Sequence, residues 1–412
     1  MTETVDVLVV GGGPVGACLA ALLMRESAAS SKPLSVMVLE PNRPALLEPG
    51  SAFDTRVVAL SRASEHILAK AGAWSRIRGP RVNAYERMRI WHESISGTSA
   101  DVLVFDAAEA GEPDLGHIAE SRLLQAALLD SYAESGGRIE PLGLRSVHVA
   151  EEQVNVRTEA GAVNARLVVG ADGVRSAVRD FVGLTADVSD YRQTAIVATI
   201  ATERAHQNTA WQRFMRDGTL ALLPLADGST SIVWSADDPL AAALLARPAS
   251  DFEAELDRAS DHALGATRLV SERSSFALKG LSAHHYVARR CALIGDAAHV
   301  VHPLAGQGVN LGLLDAAALA QLILEAARQR EDPGALRVLR RYERWRKSEV
   351  AVMNAAIASF DRLLAHGTGP VSRIAQRGLG LVNRSAEIKR FFIRRALGMS
   401  GELPRAAMTG GP

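Results

Sequence analysis

The 412-residue chain balances 46 Lys/Arg against 46 Asp/Glu, with 48% hydrophobic and 22% charged residues. That composition excludes a disordered chain, and zero formal net charge supplies no global field for a polyanion, so nucleic acid is not an expected partner. The length exceeds one average domain, and Cys18 and Cys291, each inside an apolar run, predict two reduced buried thiols rather than a disulfide framework or a metal site.

Residues 5–10 open an apolar strand with neither a basic leader nor a cleavage-like site before it, so no signal peptide is expected. No run reaches the roughly 18 uninterrupted apolar residues of a spanning helix. With reduced thiols, this points to the cytoplasm. Residues 6–10, 17–25 and 35–39 read as strand, helix and strand, a βαβ unit. In its first turn, Gly11-Gly12-Gly13-Pro14-Val15-Gly16 gives G-x-G-x-x-G spacing, and Glu40 follows the second strand. Glycines let backbone approach a pyrophosphate, the helix N-terminus offers N–H groups and a positive dipole, and the acid suits ribose hydroxyls. A lone glycine triplet would be weak; strand, turn, helix, strand and acid in order predict dinucleotide binding, without choosing FAD over NAD.

Residues 121–134 read as an amphipathic helix, and residues 167–169 as a strand leading into Gly170-Ala171-Asp172-Gly173. Alone, that Asp-Gly pair is equally an ordinary turn with Ser176 starting a helix. From about residue 189 to 283 the pattern shifts to short β-prone runs (194–200, 220–225, 231–235) with one helix near 252–260, a second, sheet-rich domain. A buried strand returns at 291–294, and an Ala/Leu helix runs from Gly308 through 327. Between them lie Gly295-Asp296 and the stretch Pro303, Leu304, Ala305, Gly306, Gln307, Gly308, Val309, Asn310. An acid at a strand end can accept from a cofactor's ribityl hydroxyl, and glycines at a helix start can present N–H groups to a flavin's pyrimidine edge, where reduced flavin carries negative charge.

The expected fold class is therefore α/β: a Rossmann-like domain discontinuous over 1–80, 101–188 and 285–330, a sheet-rich substrate domain from 81–100 and 189–284, and a helical region at 331–412 with a frayed end. From Val371 onward eight Lys/Arg (Arg373, Arg377, Arg384, Lys389, Arg390, Arg394, Arg395, Arg405) face two acids (Glu387, Glu402).

The three motifs in this order resemble the FAD-dependent aromatic hydroxylases of the para-hydroxybenzoate hydroxylase type. His302 through Gly312 followed by Asp315, the run Phe53 to Ser61, and Trp211-Gln212-Arg213-Phe214 are more narrowly similar to the ubiquinone-biosynthesis hydroxylases. The resemblance covers roughly residues 4 to 350. It implies FAD over Gly11, Gly13, Pro14 and Gly16, with Glu40 at the adenosine ribose, Asp172 near the pyrophosphate and Asp296, after Gly295, on the ribityl chain. Arg56, Arg122 and Gln125 would approach the flavin. Gly306, Gln307, Gly308, Val309 and Asn310 would line the isoalloxazine, and Pro303, Leu304, Ala305 and Gly306 the reaction cavity. It also implies O2 as co-substrate, NAD(P)H or a separate reductase as electron donor, and a C4a-hydroperoxyflavin attacked by an electron-rich ring. In such chemistry the protein needs no nucleophile; it positions the ring and excludes water.

The implied substrate is a lipophilic, polyprenylated phenol of ubiquinone biosynthesis. The basic tail, with Phe391, Phe392 and Ile393 among its charges, would then place the enzyme peripherally at the inner face of the membrane or dock it onto proteins of a biosynthetic complex; a solvated helix face explains the same charges. A homodimer is the default assembly. His299 and His302 could make structural hydrogen bonds or move protons, and no third ligand makes them a metal site. Two alternatives stay open: a hydroxylase of a small soluble phenol, and a flavin-binding scaffold of a complex. Halogenation is disfavoured because the Trp-x-Trp-x-Ile-Pro element is absent, and thiol-disulfide chemistry because no Cys-x-x-Cys pair exists.

Overall fold

Runs rich in Val and Leu dictate the first strands, because branched side chains suit a sheet buried on both faces. In the computed structural model, residues 4–44, 47, 50–302, 308–364, 389 and 397–408 are described. The opening unit is β1 (Thr4–Val10), α1 (Pro14–Ser27) and β2 (Val36–Leu39), followed by β3 (Val57–Leu60), α2 (Arg62–Lys70), α3 (Trp74–Ile77), β4 (Asn83–Tyr85), β5 (Arg87–His92), β6 (Leu103–Asp106) and β7 (Gly116–Glu120). Next come α4 (Ser121–Glu134), β8 (Arg138–Glu140), β9 (Leu144–Val149), β10 (Val154–Thr158), β11 (Gly161–Gly170) and α5 (Ala177–Phe181). The sheet-rich stretch holds β12 (Ala186–Thr202), β13 (Thr209–Met215), β14 (Gly218–Pro224), β15 (Thr230–Asp237), α6 (Asp238–Ala246), α7 (Ala249–Ala259), β16 (Thr267–Leu269) and β17 (Ser274–Ala283). The chain closes with β18 (Val287–Ala288), β19 (Cys291–Leu293), β20 (His299–Val300), α8 (Gly308–Arg328) and α9 (Leu336–Leu364).

Three sheets result. The first runs β18-β19-β11-β1-β2-β8, with β10 and β9 added beside β11. Its central strands β19, β11, β1, β2 and β8 are mutually parallel, the doubly wound arrangement predicted from the βαβ pattern. The second runs β20-β17-β12-β15-β14-β13-β5-β6 with β16 beside β12, antiparallel except at β13-β5. The third is the small sheet β3-β7-β4.

Helix α4 forms over the predicted residues, whereas β11 and β12 extend well beyond the predicted 167–169 and 194–200. The extra length of β11 is polar at Asn164 and Arg166, and pairs with β10, an antiparallel partner that tolerates an exposed face. Within the predicted segment 81–100, β4 joins the small sheet and only β5 joins the second sheet, with β6 completing it from beyond residue 100.

The C-terminal helix α9 and the described residues 397–408 pack onto the nucleotide domain. Val338, Leu339, Tyr342 and Ala407 share one hydrophobic core with β1, α1 and α8. Residues 397–408 return to α2 and α8: Ala63 N–H donates to the Leu397 carbonyl at 3.1 Å and Arg405 N–H to Gln321 Oε1 at 3.0 Å. Most of the basic tail lies outside the described residues, but two of its charges are engaged, Lys389 with Glu109 at 2.7 Å and Arg405 with Glu325 at 3.4 Å. Among the described residues α8 is the helix apolar and long enough to cross a membrane by composition, and 83% of its most apolar stretch is buried inside the protein, as a core helix would be. Cys18 and Cys291 are free and buried; burial pushes the Cys18 thiol far up and that of Cys291 up to about 12, so both are inert thiols.

Candidate active site

Four adjacent parallel strands end in the sequence motifs, all at the carboxyl edge of the first sheet. Across it, Glu40 follows β2, Gly11 follows β1, Asp172 follows β11 and Gly295-Asp296 follows β19. At about 4.8 Å per strand, the four ends span roughly 14 Å. This is the edge where open α/β sheets bind ligands.

The glycine fingerprint divides its labour. Gly11 has φ +100°, and a methyl group there would collide with the Ala171 carbonyl of the Asp-Gly turn. At Gly16 it would collide with the Gly11 carbonyl. A methyl at Gly13 would meet nothing within 4 Å, so this residue faces open space at the N-terminus of α1, whose first turn no side chain caps. Gly11 and Gly16 are thus glycines because of the protein, and Gly13 is free for something outside it. Pro14 opens the helix at a position where its missing N–H is harmless.

Glu40 turns into this loop: Oε2 accepts from Gly12 N–H at 2.7 Å and Oε1 from Asn42 N–H at 2.8 Å. Gln125, on α4, donates to the Gly12 carbonyl at 3.1 Å, while Arg122 is exposed on the first turn of the same helix. Asp172 Oδ2 accepts from Val178 N–H at 3.1 Å, and its Oδ1 is buried with no partner among the described residues. A buried carboxylate oxygen left without a donor calls for one from outside.

Three side-chain links fasten the late motif to the rest. Val15 of α1 fits against Gly295 and Gly312, where added methyl groups would meet its side chain, so α1 and α8 cross closely. Arg179 donates to the Ala297 and Val174 carbonyls, both at 3.0 Å, joining the Asp-Gly and Gly-Asp motifs. Asn310 is buried; its Oδ1 accepts from Ser61 N–H at 2.9 Å and Ser64 Oγ at 2.6 Å, and its Nδ2 donates to Ala59 at 2.8 Å. The Asn310 side chain thus clips α8 to β3 and α2.

Asp296 is exposed, yet loss of hydration holds its carboxyl above the ordinary carboxylate range, against the pull of His299 and Arg56. A group open to solvent but walled by protein sits in a cleft. Arg56 is exposed just before β3, and its charge favours the ionised form of Asp296. Pro303, Leu304, Ala305, Gly306 and Gln307 lie outside the described residues; Gly308 and the half-buried Val309 begin α8. His302, beside that stretch, contacts Gln193 Oε1 at 3.1 Å and meets Tyr191 edge-on at 4.7 Å. His299 is buried against Asp315 at 2.6 Å, which gives it a structural partner.

Sequence reasoning missed Arg179, Asp315 and Arg346, whose roles arise from packing between distant segments. His117 stands in no constellation along the sequence, yet its ring, Glu65 and Asp114 converge within 4.8 Å. Arg62 bonds Glu65 and lies 3.6 Å from Asp114, so this group already contains a cation.

The residues fit a bound FAD: an open glycine at an uncapped helix start, an orphaned carboxylate oxygen, and an acid in a cleft follow in the order of a dinucleotide crossing the sheet. A family model described as an FAD binding domain matches residues 4–355. The chain is 37% identical over 416 residues to the ubiquinone hydroxylase UbiL of Rhodospirillum rubrum, covering 100% of this chain and 94% of that protein. It is 31% identical over 401 residues to the 3-demethoxyubiquinol 3-hydroxylase of Escherichia coli, covering 96% and 99%. The p-nitrophenol 4-monooxygenase of Pseudomonas putida shares the fold, with a TM-score of 0.76 at 19% identity over 96% of this chain and 99% of that one. The chain therefore belongs to the FAD-dependent aromatic-ring monooxygenases, in the group that includes the ubiquinone hydroxylases.

Proposed function

We propose that this enzyme hydroxylates the ring of a polyprenylated phenol on the route to ubiquinone. The observation that carries the reading is the row of strand ends Glu40, Gly11, Asp172 and Asp296, which supports a cofactor lying across them with its reactive end toward β19, joined to the nature of the relatives at 37% and 31% identity. Bound FAD supplies oxygen activation from O2, with reducing equivalents from NAD(P)H or a separate reductase.

The chain's own residues hold and shield. The first turn of α1, opened at Gly13, holds the pyrophosphate; Glu40 faces the adenosine ribose; Asp172 Oδ1 accepts from a cofactor hydroxyl or its water; Asp296 accepts from the ribityl chain. Arg56, Arg122 and Gln125 stand around the flavin. His302, Gln193 and Tyr191 meet on the side of the second sheet, at the start of the stretch whose sequence suits the reacting face. β20 pairs with β17 and so carries the chain from the cofactor edge into that sheet. The substrate ring is sandwiched there, in a pocket whose task is orientation and exclusion of water.

A lipophilic substrate favours peripheral attachment to an anionic bilayer, at about 1 kcal/mol per basic residue near the surface. Lys389 and Arg405, paired within the fold, drop out of that role, leaving Arg373, Arg377, Arg384, Arg390, Arg394 and Arg395 to carry it. Quinone lipids extracted from a strain lacking the gene test the function. A prenylated phenol one hydroxyl short of the next intermediate is expected; unchanged quinone without a precursor, in a strain with no second hydroxylase, would point to a small soluble phenol instead.

A further inference from the structure

The Gly295-Asp296 turn is held from behind by a buried charge. Asp315, in the middle of α8 and fully buried, accepts from Gly295 N–H at 3.0 Å and pairs with His299 Nε2 at 2.6 Å through one oxygen, and accepts from Arg346 Nε at 2.7 Å through the other. Gly295 has φ +59°, a conformation whose N–H direction is fixed once an acceptor captures it. Arg346 is 1% exposed and comes from α9, far along the chain. One turn earlier on the same face of α9, Tyr342 donates to the Leu293 carbonyl at 2.8 Å, at the end of β19. The C-terminal helix therefore grips both sides of the turn: the strand end directly, and the glycine N–H through Asp315.

We propose that Asp315, locked by Arg346, is the positioning residue that fixes the Gly295 turn and so aims Asp296 at the FAD ribityl chain. Two alternatives were available to the fold. An apolar pair of similar size would join α8 and α9 without burying charge, since buried ion pairs add little net stability over apolar packing. Such a pair would, however, leave Gly295 N–H without an acceptor. The charged pair is thus explained by the turn it serves, and α9 becomes part of the flavin site without touching it.

The test separates positioning from bulk stability. It uses full-length apoprotein, FAD titration followed by flavin fluorescence, and thermal melts by circular dichroism. Asp315→Leu with Arg346→Met removes both charges and leaves Gly295 N–H and His299 Nε2 without their acceptor, so its melt is expected to fall, while the FAD Kd, read well below that melt, rises about tenfold or more. Arg346→Lys, which keeps the charge on Asp315, is expected to bind FAD within about threefold of wild type. Wild-type FAD affinity in the folded double variant would overturn the proposal, because a purely structural ion pair lowers the melt without moving the affinity of the folded protein. Should the double variant not fold, Arg346→Gln decides: a raised FAD Kd with an unchanged apoprotein melt supports positioning, and a lowered melt with unchanged Kd overturns it. The inference rests on Asp296 meeting the ribityl chain, and Asp296→Ala tests that separately; normal FAD binding in that variant would remove the assignment itself, whereas weak binding there with normal binding in the double variant would remove only the brace.

Discussion

Replacing Gly13 by Ala separates what the glycine fingerprint does for the fold from what it does for the cofactor. Gly13 has φ −61° and ψ 174°, which alanine adopts without strain, and the added methyl group meets no protein atom within 4 Å. Alanine reduces unfolded-chain entropy, a gain of roughly 0.4–1 kcal/mol. Gly13 is also the N-cap of α1, where alanine is poorer than glycine, offsetting part of that gain. The net change is within about 1 kcal/mol. With an unfolding entropy of about 2.1 cal/mol/K per residue, it moves the apoprotein melting temperature by about 1 °C at most. FAD affinity behaves differently, because the methyl group fills the space through which a pyrophosphate approaches the backbone N–H groups; a loss of at least about 1.4 kcal/mol, tenfold in Kd, is expected. Gly11→Ala and Gly16→Ala are the controls, since their methyl groups strike backbone oxygens and should lower the melt itself. Equilibrium dialysis with FAD and a calorimetric melt read both quantities. A Gly13→Ala protein that binds FAD as wild type does would refute the placement of the pyrophosphate at α1.

The remaining predictions concern the acid, the clip, the thiols and the tail. Asp296 has a folded pKa above its unfolded value of about 3.9, so its ionisation opposes folding. Asp296→Asn should stabilise the apoprotein by an amount that is absent below that value, grows as pH rises through the shifted pKa and is constant above it, while FAD binding weakens; melts across pH 3 to 8 check the sign. Asn310→Ala leaves Ser61 N–H and Ser64 without their acceptor and should cost about 1–3 kcal/mol in denaturant titration. Cys18 and Cys291 should resist alkylation at pH 8 in the native protein and react only after unfolding, as timed thiol labelling would reveal. Leu397→Ala should destabilise by roughly 2–5 kcal/mol, because this residue is 1% exposed. Truncation at residue 370 would therefore damage the fold, and membrane attachment is better tested by Arg→Gln changes at 373, 377, 384 and 390, with co-sedimentation on phosphatidylserine vesicles as the readout.

The nucleotide half of the fold was legible because its signals are local. Gly11 to Gly16 sit between a strand and a helix whose periodicities differ, and Glu40 and Asp296 each follow an apolar run, so spacing alone places them at strand ends. The braces were not legible. Asp315 and Arg346 lie 31 residues apart on two helices, and nothing in either helix marks its polar residue as buried rather than solvated. The role of Arg179 depends on the Ala297 carbonyl, 118 residues away along the chain. The clip made by Asn310 was hidden for a related reason: nothing local shows that its amide matches the backbone at the end of β3. The return of residues 397–408 onto α2 escaped notice because its apolar residues, broken by Gly398, Gly401 and Pro404, follow no helix or strand period.

The central claim is that this FAD site delivers one atom of O2 to a phenolic ring. Purified FAD-loaded protein, its flavin reduced photochemically, would be mixed with buffer equilibrated with ¹⁸O2 and a short-chain prenylated phenol in detergent micelles, and the lipid analysed by mass. A product carrying one ¹⁸O, lost in Gly13→Ala protein without added FAD, is the predicted result; oxidation of the flavin with hydrogen peroxide as the sole product, across phenols with and without a prenyl chain, would contradict it.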